Sequence, residues 1–204
     1  MECSEKRSKM KNQSKLKGKD LINIGIYAAI YCVIMTAVAM LGFIPIMMPM
    51  LCVLVPLIGG TPMMLFMTKV NKFGMITIYS MIVGLFLWIT GMGYWPFIFG
   101  IVFGFLADLI AKSGNYKSAA KTICSYAVFC LVIFGNFIPL FMNAETYFAT
   151  RQSFGEEYIN TLSDIMSRTW IAPLLIVACL VCGAIGGLIG KSLLKKHFVK
   201  AGIA

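Results

Sequence analysis

Few residues in this 204-residue chain are of types that do chemistry, and their spacing narrows what that chemistry could be. Cys179-Leu180-Val181-Cys182 is a CxxC, the spacing of a thiol–disulfide exchange pair. Such a pair works near an oxidising face and usually hands electrons to further cysteines outside. This one falls midway along an apolar run, and the other five cysteines (3, 32, 52, 124 and 130) lie in the N-terminal tail or in similar runs. They read as small apolar packing residues. Gly190-Lys191-Ser192 looks like the end of a phosphate loop, but a Walker A needs glycine five residues before Gly190, where the chain has Ile185. Met48-Pro49-Met50, among fifteen methionines, suggests thioether copper binding, yet scattered methionine in apolar runs ordinarily serves as flexible packing. The single His197 belongs to no metal-ligand set. Glu156-Glu157 would need arginine at position 161 to match a glutamate-dependent membrane protease, and Thr161 stands there. No Ser–His pair can be assembled either. The expectation is a chain that is not an enzyme and carries no cofactor or metal of its own. One acid remains. Asp108 lies inside an apolar run, where an ionised group is expensive, and Lys112 four residues on predicts a local ion pair near the membrane edge. A proton or cation relay would need several such acids in succession.

The elements that carry these residues are set by composition. With 59% hydrophobic and 13% charged residues, the chain is excluded from the ordinary soluble class. Six apolar runs read as 21–41, 46–67, 73–91, 96–112, 119–142 and 170–190. At about 1.5 Å per helical residue each crosses or nearly crosses a hydrocarbon core of roughly 30 Å. Sixteen of the eighteen Lys and Arg residues flank these runs on one alternating side: the tail before Leu21, the 68–72 and 112–121 turns, and the tail after Gly190. The opposite side holds only Arg151 and Arg168. Basic loops stay cytoplasmic, so the predicted fold is an all-α membrane protein, a six-transmembrane-helix bundle with both termini inside. A basic cytoplasmic tail (1–20), a six-helix membrane domain (21–195) and a second basic tail (196–204) leave no room for another domain. The net charge of +10 flanks apolar spans, which fits orientation and anionic lipid and argues against nucleic acid.

Within the spans, Gly25 and Ala29 form a small-xxx-small pair that lets another helix approach, either inside the bundle or from a partner. Gly183/Gly187 and Gly186/Gly190 are two GxxxG pairs on the last span, read as internal packing. Pro45, Pro49, Pro56 and Pro62, with Ile58-Gly59-Gly60-Thr61, predict a kinked or broken second span. The long connection 143–169 looks helical in its second half. Ser153 and Glu156 have capping-box spacing, and Tyr158, Leu162 and Ile165 recur at helical intervals. An amphipathic outer-loop helix across the outer mouth is predicted before the last span. Asn136 is an amide within the fifth span that must find a partner, and Trp88, Trp95 and Trp170 fall near outer ends, where an aromatic belt or a ligand pocket would use them.

Six short helices, a basic N-terminus, a proline- and glycine-rich second span and an outer loop before the last helix resemble the substrate-binding S component of energy-coupling factor transporters. Gly59-Gly60-Thr61-Pro62-Met63-Met64-Leu65 with Lys69-Val70, and Ala107-Asp108-Leu109-Ile110 before Gly114-Asn115-Tyr116-Lys117-Ser118, are similar to the Trep_Strep/MptD-type members, over roughly 20–195. The resemblance implies capture of a micronutrient at the outer face, a transmembrane coupling subunit and two ABC-type ATPases as partners, and ATP-driven uptake. It implies a coupling role for Gly25 and Ala29, where the usual motif has alanine at both sites, and a structural or coupling role for Asp108. It places the pocket toward the outside, by position near Tyr94, Trp95, Asn136, Asn143, Glu145, Arg168 and Trp170. A membrane scaffold or a stand-alone facilitator is the alternative. The outer-loop charges, four acids against Arg151 and Arg168, lean toward a neutral or cationic ligand.

Overall fold

An apolar run in hydrocarbon must close its backbone hydrogen bonds within the protein, and helices do this segment by segment. The computed structural model describes residues 16–149 and 152–198, without the side chains of 197 and 198. Cys3, Lys6, Arg7, Lys9, Lys11, Lys15, Arg151, Lys200 and the His197 side chain lie outside the described residues. Among the described residues there is no strand, and six helical stretches are long and apolar enough to span a membrane. Helix α1 (Gly18–Ala39) continues through a 3-10 turn (Met40–Phe43). Then follow α2 (Met47–Met67), α3 (Met75–Leu87) with a π-helical turn (Trp88–Met92), and α4 (Trp95–Ser113). The fifth span is segmented: α5 (Ala119–Phe129), α6 (Leu131–Phe134), a 3-10 turn (Gly135–Phe137) and α7 (Ile138–Met142). A cap of α8 (Ala144–Ala149), a short turn (Gln152–Phe154) and α9 (Glu156–Met166) precedes the last span, α10 (Ile171–Leu193). The start of α1 and the end of α10 share one end of the bundle, the basic end, with the 68–74 and 114–118 turns.

Two glycine seams set how the helices pack. A Cβ at Gly60 would overlap the Gly186 carbonyl, one at Gly186 would overlap the Pro56 carbonyl, and one at Gly190 would lie 2.7 Å from the Gly60 carbonyl carbon. Here α2 and α10 meet backbone to backbone. Between α3 and α4, a Cβ at Gly100 would lie 2.7 Å from the Ser80 carbonyl oxygen, and one at Gly84 2.7 Å from that of Pro96. Of the two expectations for the second span, kinked or broken, the break is not found: Pro56 and Pro62 sit inside a helix that runs from Met47 to Met67. The Tyr126 hydroxyl donates to the Pro56 carbonyl at 2.7 Å and α10 packs closely there, so two neighbouring helices brace this stretch of α2. At the centre, Tyr31, Phe66, Tyr79 and Phe129 are buried and in ring contact, the closest pair being Phe66 and Tyr79 with centroids 4.5 Å apart. Cys179 is buried and Cys182 half-buried, both as free thiols.

Polar bonds pin the basic end. Asp20 Oδ2 accepts from the Lys17 N–H at 2.8 Å and from Lys72 Nζ at 2.6 Å, tying the start of α1 to the 68–74 turn. Asp108 is fully buried, and the predicted pair with Lys112 does not form. Its Oδ2 instead accepts from the Gly74 N–H (2.7 Å), the Thr77 N–H (3.2 Å) and the Thr77 hydroxyl (3.2 Å), and its Oδ1 from the Tyr116 hydroxyl (3.1 Å). A carboxylate at the start of α3 meets orphan N–H groups and the positive end of the helix dipole. Gly74 reaches this geometry at φ +97°, a conformation side-chain-bearing residues rarely adopt. Burial, and then the Asp108 charge, raise the Tyr116 phenol above its ordinary pKa, so it remains a donor. Lys112 lies over the Phe73 ring, 4.9 Å from its centroid. Asp108→Leu is therefore expected to cost about 2–4 kcal/mol, since backbone donors at the start of α3 lose their acceptor. Lys112→Ala is expected to cost under about 1 kcal/mol. Reversible unfolding in mixed micelles measures both, and a larger loss for Lys112→Ala would contradict this assignment.

Candidate functional site

Among the described residues, the end opposite the basic turns is held mainly by apolar contacts. There the last turns of α1, the first turns of α2, the π turn after α3 and the segmented fifth span enclose a cavity of about 140 Å³. Met35, Leu51, Val55 and Ile133 line its deeper part, and Met48, Leu87, Met92 and Phe137 its sides. Tyr147 and Phe148 from α8, Phe154 from the short turn, and Tyr158 and Ile159 from α9 form its roof.

A hydrogen bond ties the roof to the end of α1. The Tyr158 hydroxyl donates to the Gly42 carbonyl at 2.7 Å, in the 3-10 turn that ends α1. Beside that bond Phe43 stacks on Phe154 (5.7 Å) and Phe154 on Tyr158 (5.0 Å). The amphipathic helix is present as predicted, burying Leu162 and Met166. Its start is not: Gly155, not Ser153, occupies the N-cap, at φ +87° and with no side-chain cap. Glycine permits the turn, and Glu156 and Glu157 in the first turn complement the helix dipole. Asn143 Oδ1 accepts the Thr146 N–H at 3.0 Å, which starts α8.

Of the residues placed at the pocket by sequence, Asn136 alone is in the cavity wall. Its Nδ2 donates to the Ile133 carbonyl at 3.1 Å, within the irregular stretch of the fifth span, and its Oδ1 is buried without a protein partner. Tyr94 and Trp95 stack on each other at 5.3 Å at the start of α4, away from the cavity. Asn143 and Glu145 are exposed on α8, and Trp170 is exposed before α10. Arg168, 3.6 Å from Asp164 with both side chains exposed, lines a second depression of about 320 Å³ beside Leu140, Ala144 and Ser163. An exposed pair of this kind holds little energy. The first cavity is the better site: residues from both halves of the chain converge on it, and Met35, Met48, Leu51, Val55, Leu87, Ile133 and Phe137 in its wall are buried. Its methionines and aromatics carried no signal in the sequence, because the same types fill the core elsewhere.

Gly25 and Ala29 face outward. With Cys32, Val33 and Thr36 of α1 and Ile82 and Phe86 of α3 they line an open groove of about 640 Å³ on the side of the bundle, and nothing lies within 4 Å of a Cβ added at Gly25. The glycines of α10 all pack inward.

Residues 18–200 match the family described as hypothetical bacterial integral membrane protein (Trep_Strep), and the chain belongs to that family. With its six spanning helices it is a multi-pass protein of the cell membrane. No curated protein matches, and no solved structure does.

Opening of the roof should depend on the Tyr158–Gly42 bond. Tyr158→Phe keeps the ring stack and removes about 1 kcal/mol, so exposure of the cavity should rise roughly fivefold. Labelling of Met48→Cys by a membrane-impermeant maleimide, followed at that site by mass spectrometry, reads the change. Equal labelling rates with Tyr and Phe at 158 would show that the bond does not hold the roof.

Proposed function

We propose that this Trep_Strep protein is the substrate-binding S component of an energy-coupling factor transporter. It captures a micronutrient at its outer face and passes it inward with the help of a transmembrane coupling subunit and two ABC-type ATPases. The carrying observation is the cavity closed by α8 and α9 at the end opposite the basic turns. Under the positive-inside rule that end faces outward, where a scavenged nutrient arrives. A cavity roofed by a short amphipathic helix and its flanking turns suits capture and release better than continuous conduction. The chain is not an enzyme in this reading and needs no cofactor.

Two further features support it. Gly25 and Ala29 lie in an open groove, where a partner helix could approach α1 more closely than a bulkier surface permits. The acid at the other end, Asp108, is engaged by the start of α3 and by Tyr116, an arrangement suited to holding the turns rather than relaying ions. ATP hydrolysis then belongs to partner polypeptides, since Ile185 stands where a phosphate loop would require glycine.

Native purification of the tagged chain in mild detergent is expected to recover the coupling subunit with its ATPases. Gly25→Leu and Ala29→Leu should strip those partners away while leaving the isolated chain's melting temperature unchanged. Gly186→Leu should instead prevent folding, because its side chain would enter α2. Recovery of the chain alone, under conditions that keep a known complex of this type intact, would favour a facilitator or scaffold.

A further inference from the structure

We infer that the depression beside Arg168 holds the phosphate of an outer-leaflet phospholipid, with the glycerol end of the lipid resting on its apolar floor. The inference is independent of the cargo reading, and it gives a role to an arginine that the roofed cavity leaves outside.

Position comes first. The fifth span ends at Met142 and α10 begins at Ile171, so residues 140–144 and 168–169 stand at one edge of the apolar layer. By the positive-inside rule that edge is the outer one. The depression, about 320 Å³, opens there between the end of α7, the start of α8 and the last turn of α9. Its floor is apolar, with Leu140 and Met166 buried and Phe141 half-buried. Its rim is polar, formed by Ser163, Ser167, Arg168 and Thr169. Met142 and Trp170, next in the chain to Phe141 and Thr169, are exposed, as side chains facing lipid tails and headgroups are.

Charge decides what fills the rim. Arg168 Nη2 lies 3.6 Å from Asp164 Oδ2, beyond hydrogen-bond length, with the two side chains 57% and 75% exposed. Asp164 therefore holds the guanidinium loosely. A phosphodiester offers two anionic oxygens that match the guanidinium fork, and the leaflet presents it at this depth. The backbone behind the fork is fixed. Ser167 N–H donates to the Ser163 carbonyl and Ser167 Oγ to the Asp164 carbonyl, both at 2.9 Å, and the Ile171 N–H donates to the Arg168 carbonyl at 3.0 Å. A soluble phosphate would meet the same arginine but gain nothing from Leu140, Phe141 or Met166. The apolar floor is what selects the lipid.

The test uses the whole chain in nanodiscs containing a phosphatidylglycerol analogue with a photoreactive diazirine beside its phosphate, kept well below saturation. Labelled peptides are mapped by mass spectrometry. Labelling is expected on residues 140–144 and 163–169, and excess unlabelled phosphatidylglycerol should suppress it. Diacylglycerol with the same chains should compete about fivefold less well, the scale of a partly exposed charge pair. Arg168→Gln should lower labelling at this site by a similar factor, and Ala144→Trp, which fills the depression, should abolish it. The wild-type competition decides the matter even if neither variant folds. Equal competition by diacylglycerol, labelling unchanged by Arg168→Gln, or labelling spread evenly over the lipid-facing peptides overturns the inference. Suppression by glycerol phosphate as strong as by the lipid also overturns it, since the site would then take a soluble anion.

Discussion

Helices in hydrocarbon gain little by hiding apolar side chains from one another, because lipid tails are equally apolar. What holds this bundle is how near two backbones can come. At Gly60, Gly186 and Gly190 that distance is short enough that a Cβ would strike a carbonyl group of the facing helix. Much else follows from this contact. It sets α2 beside α10, and Tyr126 reaches the Pro56 carbonyl across the adjoining gap. It also packs α10 against the stretch of α2 that holds Pro56 and Pro62, both inside one helix. The second seam, Ser80 and Gly84 of α3 against Pro96 and Gly100 of α4, repeats the principle on the other side of the aromatic centre.

The two ends of the bundle are built from different forces, and the difference bears on how it could work. At the basic end, carboxylates hold the turns: Asp20 binds Lys72, and Asp108 takes both backbone donors and hydroxyls. Breaking such a set leaves buried polar groups unpaired, so it opens rarely. At the other end, the Tyr158–Gly42 hydroxyl–carbonyl bond and a partly exposed stack of Phe43, Phe154 and Tyr158 help to close the roof. Local opening draws on partly exposed contacts such as the Phe43 and Phe154 rings. A protein that must admit a ligand at one face while keeping a fixed surface for partners at the other is served by that asymmetry.

How much of this was legible in the sequence differs by element. The six spans and the amphipathic helix were, because hydropathy and helical period are one-dimensional signals. Asp108 was recognised as important but matched with the wrong group. Residues four apart are the only partners a sequence displays, whereas Gly74 and Thr77 stand more than thirty positions away. Ser153 looked like a cap because spacing carries no φ angle, and Gly155 had the freedom the turn required. Gly100 and Gly104, a GxxxG within α4, went unread and line the second seam. The pocket was sought among polar residues near the outer ends. Most of those, Tyr94, Asn143, Glu145, Arg168 and Trp170, are on the surface, as polar and amphipathic groups at a membrane edge tend to be. The cavity is walled by the residue types that also make the core, so only its shape distinguishes it.

The charges of the connecting segment and the chemistry of the cavity act at different stages. Glu145, Glu156, Glu157 and Asp164 are exposed around the roof, and none lines the cavity. In water their field is screened beyond about 8 Å, so they bias which molecules approach the mouth. Retention is decided inside, where Met35, Leu51, Val55 and Phe137 present apolar surface. The rim biases which molecules arrive, and the shape and apolar character of the wall decide which of them stay.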